Sequence, residues 1–385
     1  MSEQPIIKDS AGSGDPFGEL APPARPLAVE SWASFARSLG LDAPRARAAM
    51  PARTFMGNYL SAAAGVFLLA CLGVFGLNGM VDPLWYLGGN VLAPRNFIFD
   101  ERLAKTNLLL ADGPSSYDCV LFGNSRTILM DVTRMHGHSC FNYSFSGGRV
   151  AEYVAFAKYA KHVGLKPKLV IVNADAQNFS DDELGGGIPD FIAALAPPPS
   201  IFRSYLTLDA AALSVRTLLG VSPAPRYYNR RFVGKVMPEF ENYRADEGVI
   251  SRMIKRTFSA RNAVHYQTLR GVFPEARFVG VVVPISAEII AERQKRGSLE
   301  SSLDAVYAAR GAFDALYDFA APSVLTADKA NFYDDSHFDA EIYDLIVDVL
   351  NGRRMDFGLD VGNMSRADYS RAYAQGLQRL KARKE

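Results

Sequence analysis

Cysteine is scarce in this chain: three residues in 385 are too few for a disulfide framework. Cys71 lies in an apolar run. Cys119 and Cys140 open two neighbouring apolar stretches, and either bridge in an oxidising compartment or stay as buried thiols. An excess of one charge is missing as well. The formal net charge is +1, which gives no reason to expect a nucleic-acid partner. Histidine is limited to His136, His138, His162, His265 and His337, so chemistry that needs imidazole has few places to sit. His136 and His138 form His-Gly-His, but no nearby carboxylate or cysteine pattern completes a metal site, so solvated loop histidines are expected there. No motif calls for a metal or a cofactor.

Long apolar runs are absent with one exception. Residues 58–80, NYLSAAAGVFLLACLGVFGLNGM, contain 23 residues and no charge, a length that suits a bilayer core of roughly 30 Å. The run starts behind 57 residues of leader and is too long for the apolar part of a cleaved signal peptide. The alternative is a buried helix of a soluble domain. Arg45, Arg47 and Arg53 precede the run closely, while only Arg95 lies within the first fifteen residues after it. The positive-inside rule then puts the N-terminus in the cytoplasm and everything beyond Met80 outside. The expected organisation is a cytoplasmic, largely disordered leader (1–57), a signal anchor in contact with membrane lipid (58–80) and a juxtamembrane connector (81–114). Residues 1–28 are rich in Pro, Gly and Ala, and 29–41 place Val29, Trp32, Phe35 and Leu39 at helical spacing. Trp85 and Tyr86 suit the outer membrane interface.

The remainder alternates strands and helices. CVLFG (119–123), CFNYS (140–144), LVIVNAD (169–175) and RFVGVVVP (277–284) read as strands. GRVAEYVAFAKYAKHVGL (148–165), SLESSLDAVYAARGAFDALYDF (298–319) and FDAEIYDLIVDVLNG (338–352) read as helical. Apolar strands separated by helices predict a parallel sheet covered on both faces, over residues 115–353. Residues 180–262 interrupt the rhythm and are expected to form a lid or rim over a site. A helical tail over 354–385 starts at a capping box of Ser365 and Asp368 and lines up Tyr369, Tyr373, Leu377 and Leu380.

Serine nucleophilic catalysis needs an exposed hydroxyl, a histidine oriented by a carboxylate, and donors for an oxyanion. Ser125, in LFGNSRTILM, follows an apolar strand, where parallel sheets place ligands. Alone it is by default a turn serine, because Gly-Asn suits any turn. His337 precedes an amphipathic helix with Asp334 three residues upstream, so one short loop can supply a base and its orienting carboxylate. The competing account is a helix cap made by Asp335 or Ser336.

CFNYSFSGGRV (140–150) resembles the second conserved block of the SGNH/GDSL hydrolases, with FGNSR as the first block and DDSH as the last, in the family's order. The resemblance covers roughly 115–353 and implies a three-layer α/β/α sandwich with a central parallel sheet. It implies Ser125 as nucleophile, a triad completed by His337 and Asp334, and an oxyanion hole from the backbone N–H groups of Ser125 and Gly147. The first block here reads Gly-Asn-Ser rather than Gly-Asp-Ser. The third block, normally Gly-x-Asn-Asp, is replaced by IVNADAQNFS, so a third donor falls to Asn173 or Asn178, with Asp175 near the usual position.

Within the superfamily, DERLAKTNLLL, VLFGNSRT and FYDDSHF are similar to membrane-anchored proteins of bacterial envelope and exopolysaccharide loci. These are the alginate O-acetyltransferase-like and teichoic-acid D-alanyl transfer groups. The resemblance implies an O-acyltransferase, acetyl being the expected group, that acts on an extracytoplasmic glycan from the bacterial inner membrane. A multi-pass membrane acyltransferase would be the acyl-supplying partner. The alternatives are an inactive scaffold or glycan-binding subunit of an export complex, and a carbohydrate esterase or lipase. Arg126, beside the nucleophile, is a candidate for binding an anionic substrate or for pairing with Asp131 or Asp175.

Overall fold

The computed structural model describes residues 52–97, 99–180, 187–240, 247–334, 336–354 and 357–383. The expected disorder of 1–28, the helix over 29–41, and Arg45, Arg47 and Asp335 lie outside the described residues. The chain divides into two units, 1–66 and 67–385. In the first, helix α1 (Ala52–Val81) begins, six residues ahead of the uncharged run, and Met56, Tyr59, Leu60 and Val66 are exposed. Met56–Val81 is long and apolar enough to cross a membrane.

The second unit starts within α1. A connector leads from its end to α2 (Glu101–Asp112), capped by Asp100, whose side chain accepts from the Leu103 N–H. The chain then runs β1 (Cys119–Gly123), β2 (Cys140–Ser144), α3 (Val150–His162) and β3 (Leu169–Asn173). The interrupting region contributes α4 (Asp190–Ala193), α5 (Ile201–Tyr205), α6 (Leu208–Leu218), the antiparallel pair β4 (Arg226–Tyr228) and β5 (Gly234–Val236), and α7 (Glu247–Lys255). After it come α8 (Ala263–Val272), β6 (Arg277–Val282), α9 (Ala287–Lys295), α10 (Leu299–Ala308) and β7 (Ala315–Asp318). The last elements are α11 (Val324–Ala327), α12 (Ala340–Leu350), β8 (Leu359–Asp360) and α13 (Arg366–Ala382).

Six strands form one mixed sheet in the order β2-β1-β3-β6-β7-β8, parallel except for the edge strand β8. Strands β1 and β3 are buried at every position, which is why their residues read as unbroken apolar runs. The chain steps from β1 outward to β2, then crosses back to β3 on the other side of β1. The carboxyl ends of β1 and β3 therefore flank a topological switch point, where an open α/β sheet leaves a crevice. Cys119 and Cys140 are register partners on β1 and β2 and form a disulfide.

Three expectations change. The stretch 298–319 is not continuously helical: it holds α10 and then β7, whose residues alternate between buried and half-buried. The region after 353 is more than a tail, because β8 pairs with β7 and α13 docks on the core. Tyr369 and Tyr373 of α13 are buried and donate their hydroxyls to Asp318 at the end of β7. Trp85 does not face a membrane interface: it is fully buried, with its ring 4.4 Å from that of Phe232. Tyr86 is half-buried, and its hydroxyl bonds the Pro199 carbonyl and Ser204.

Candidate active site

Strand β1 ends at Gly123 because the chain must fold back on itself there. A Cβ at Gly123 would fall 1.9 Å from Thr127 Oγ1 and 2.9 Å from Ser144 Oγ, so close packing, rather than a left-handed conformation, demands glycine. Asn124 then makes the turn: its Oδ1 accepts from the Arg126 N–H at 3.0 Å and its carbonyl accepts from the Thr127 N–H at 3.0 Å. Thr127 Oγ1 ties the turn to Ser144 at the end of β2, at 2.9 Å. The buried run through β1 and this turn is broken by one partly exposed residue, Ser125.

Residues 332–338 supply the facing groups. A bridge between Phe332 and Phe338 closes this loop just ahead of α12, and their rings lie 3.8 Å apart. Inside it Asp334 Oδ1 accepts from the N–H groups of Ser336 at 2.7 Å and His337 at 2.8 Å, which locks the carboxylate. His337 Nδ1 lies 2.8 Å from Asp334 Oδ2, and His337 Nε2 lies 3.0 Å from Ser125 Oγ. Partial burial alone would raise the Asp334 carboxyl, but the hydrogen bond and charge of His337, with the two amides, hold it below its ordinary value. Tyr333 stacks on the imidazole, ring centroids 5.4 Å apart. The structure thus brings Ser125, His337 and Asp334 into one hydrogen-bonded chain. Ser336 faces inward instead of capping α12, whose N-cap is Asp339.

Gly147 is exposed, in the loop that follows β2, and its φ of +67° is a conformation that glycine adopts without strain. Among the described residues, no acceptor takes the backbone N–H of Ser125 or of Gly147. The neighbouring Ser146 amide is occupied: it donates to Glu101 of α2, whose Oε1 also accepts from Ser146 Oγ at 3.1 Å.

The two asparagines considered as third donors are spent elsewhere. Asn173 Nδ2 donates to Asn124 Oδ1 at 3.1 Å and Asp175 Oδ2 at 3.0 Å, which uses both its hydrogens inside the core. Asn178 is buried, with Nδ2 on the Asn173 carbonyl at 3.1 Å and Oδ1 accepting from the Val150 N–H. Arg126 is likewise engaged inside the protein. It is buried, and its guanidinium donates to Ser336 O at 3.1 Å, Asp175 Oδ2 at 2.8 Å, Val283 O at 3.0 Å and Pro284 O. Arg126 therefore ties the serine turn to the ends of β3 and β6 and to the histidine loop. Asp175 is the counter-ion of Arg126.

One group that local pattern did not single out is Arg226, on β4. Its Nη1 lies 3.5 Å from the Ser125 carbonyl, and its Nη2 donates to Ser146 Oγ at 2.6 Å and approaches Glu101 Oε1 at 3.4 Å. Its Nε, like Asn124 Nδ2, is buried with no partner among the described residues. The basic, aromatic character of APRYYNRR was the available signal, but nothing local says which of its arginines turns inward. Of the other two, Arg230 Nε donates to the Asn90 carbonyl at 2.9 Å. His138, of the His-Gly-His pair, pairs with Asp118 across 3.3 Å. No family model matches the sequence, and no curated protein matches it.

Proposed function

We propose that this chain is a serine-dependent O-acyltransferase of SGNH type, built as a three-layer α/β/α sandwich and anchored by α1, that acts on a glycan outside the membrane. The observation that carries the proposal is the Ser125–His337–Asp334 hydrogen-bonded chain beside the switch point of a parallel sheet. His337 Nε2 takes the Ser125 proton as Oγ attacks the acyl carbonyl. The tetrahedral oxyanion is met by the backbone N–H groups of Ser125 and Gly147. As the intermediate collapses, the donor's leaving group departs with the proton from His337, and the acyl group stays on Ser125. A sugar hydroxyl then attacks the acyl-enzyme, with His337 as base, and regenerates the free serine.

The disulfide between β1 and β2 supports an oxidising compartment for the α/β unit, and with the basic flank before α1 it favours an inner-membrane anchor with the C-terminal part periplasmic. Acetyl is the acyl group expected, delivered by a multi-pass membrane acyltransferase. A specific observation favours a second reading, a scaffold or glycan-binding subunit: the Asn173 and Asn178 amides are both consumed, and a lost oxyanion donor costs about 10²–10³ in rate.

A fluorophosphonate probe separates the two. Labelling of the wild type that disappears in Ser125→Ala and in His337→Ala is the expected result. Absence of labelling in the folded wild type would overturn the enzyme and leave the scaffold.

A further inference from the structure

Helix α6 is inside out. Its buried positions are Ala210, Ser214 and Thr217, whereas Leu208, Val215 and Leu218 point outward, as does Leu219 at its C-cap. Leu208 is 80% and Leu219 73% exposed. A helix on a water-soluble domain would turn those leucines to the core.

The inward contacts show what α6 and α5 pack against. Ser214 Oγ donates to Asn78 Oδ1 at 2.7 Å, and Asn78 Nδ2 donates to the Tyr205 carbonyl at 2.9 Å. Phe75 stacks on Phe202 of α5 with ring centroids 5.3 Å apart. Asn78 and Phe75 belong to the last turns of α1, so both helices pack directly on the apolar helix. Small residues and side-chain hydrogen bonds at a helix contact, with large aliphatics facing away, are the packing mode of helices in lipid.

The connector adds to the same surface. The Val91 N–H donates to the Met80 carbonyl at 2.9 Å, which holds the loop against the end of α1 while Leu87, Val91 and Leu92 stay exposed. Earlier on α1, Phe67, Leu68, Leu69 and Leu72 are exposed in turn. The exposed Phe202, Leu208, Val215, Leu218 and Leu219 and the 87–92 loop thus continue the apolar surface of the helix that is long enough to cross a membrane, with Arg203, Asp209 and Arg216 the charged residues exposed on α5 and α6.

We propose that this collar is immersed in the lipid leaflet at the C-terminal end of α1, so that the α/β unit is seated on the bilayer by its interrupting region as well as by its anchor. The proposal rests on α1 crossing a membrane. A lipid occupant is favoured over a protein because the exposed face is continuous with α1 and carries aliphatic side chains of the kind acyl chains cover.

The test uses the full chain with Cys71→Ala and one introduced cysteine, at Leu69, Leu208, Leu219 or Lys168; Cys119 and Cys140 are disulfide-bonded and do not react. Each variant is labelled with bimane and reconstituted in phosphatidylcholine–phosphatidylglycerol vesicles, with or without bromine on the acyl chains. Probes at 69, 208 and 219 should lose most of their fluorescence to brominated lipid and resist aqueous iodide. The probe at 168, whose side chain is 78% exposed on the α/β unit, should do the reverse. Quenching at 69 with iodide access at 208 and 219 would overturn the collar and leave the anchor standing. Iodide access at 69 as well would overturn both. Shielding of 208 and 219 from iodide without quenching by brominated lipid would overturn the lipid assignment in favour of a second copy of the chain.

Discussion

Arg126→Met is the perturbation that most directly tests how the candidate site is held together. The guanidinium is the shared partner of four acceptors on three separate segments, and its contact with Asp175 is a buried ion pair, 2.8 Å long with side-chain exposures of 5% and 0%. Taking the guanidinium away strands a carboxylate among buried groups, a loss that typically costs about 3–5 kcal/mol. Asp175→Asn leaves Arg126 bonded to the carbonyls of Ser336, Val283 and Pro284, but it uncouples a buried guanidinium charge. It also turns an amide NH2 toward donors that Asp175 now accepts from, either Arg126 and Asn173 or the Val283 N–H, so it too should cost about 3–5 kcal/mol. The two changes act on one contact, so the double variant should cost less than their sum by about 0.5–3 kcal/mol. Denaturant unfolding of the full chain in mild detergent measures all three. Labelling of Ser125 by the fluorophosphonate should fall in Arg126→Met under native conditions, because the Ser336 carbonyl beside His337 loses its anchor. Additive costs, or single-variant penalties below about 1 kcal/mol, would refute the reasoning.

Burial raises the Asp318 carboxyl from 3.8 to about 6, against the pull of the Tyr369 and Tyr373 hydroxyls. The folded state then holds more protons than the unfolded chain between those values, so this group's contribution is full below about pH 4 and is lost as pH rises through 6. The difference is about 3 kcal/mol. Relative to Asp318→Asn, the wild type should therefore lose stability from pH 4 to 7 in unfolding titrations; a flat or opposite difference rejects the buried-carboxylate account. Gly123→Ala should abolish probe labelling and lower the melting temperature, since the added methyl would sit 1.9 Å from Thr127 Oγ1; unchanged labelling would show that the turn can relax. Replacing both Cys119 and Cys140 by alanine removes a link across 21 residues, worth about 3 kcal/mol in the chain-entropy picture. Reducing agent should destabilise the wild type to the same extent and leave the variant unaffected.

The sequence alone determined the features that depend on near neighbours. A strand buried on both faces must be an apolar run, so β1 and β3 were visible as such, and β2 and β6, which each have one position that is not buried, were visible from their aromatic and β-branched residues. A D-x-x-H loop carries its own geometry: with Asp334 and His337 three residues apart, one turn suffices to bring carboxylate and imidazole together. The uncharged length of residues 58–80 likewise suffices for a helix able to span a bilayer, with no reference to any other part of the chain. Tertiary structure decided everything that rests on which strand lies beside which. Setting β3 next to β1 brings Asp175 within reach of Arg126 across 49 residues, and that pairing turns a carboxylate in the place of an expected oxyanion donor into a counter-ion. Setting the β4–β5 pair against the sheet's end selects Arg226 from a run of arginines. Trp85, whose aromatic bulk and position suggested a membrane surface, is instead claimed by Phe232 in the core. In each case the local residues are compatible with several partners, and the one that wins is set by packing and charge compensation between segments that the chain order keeps far apart.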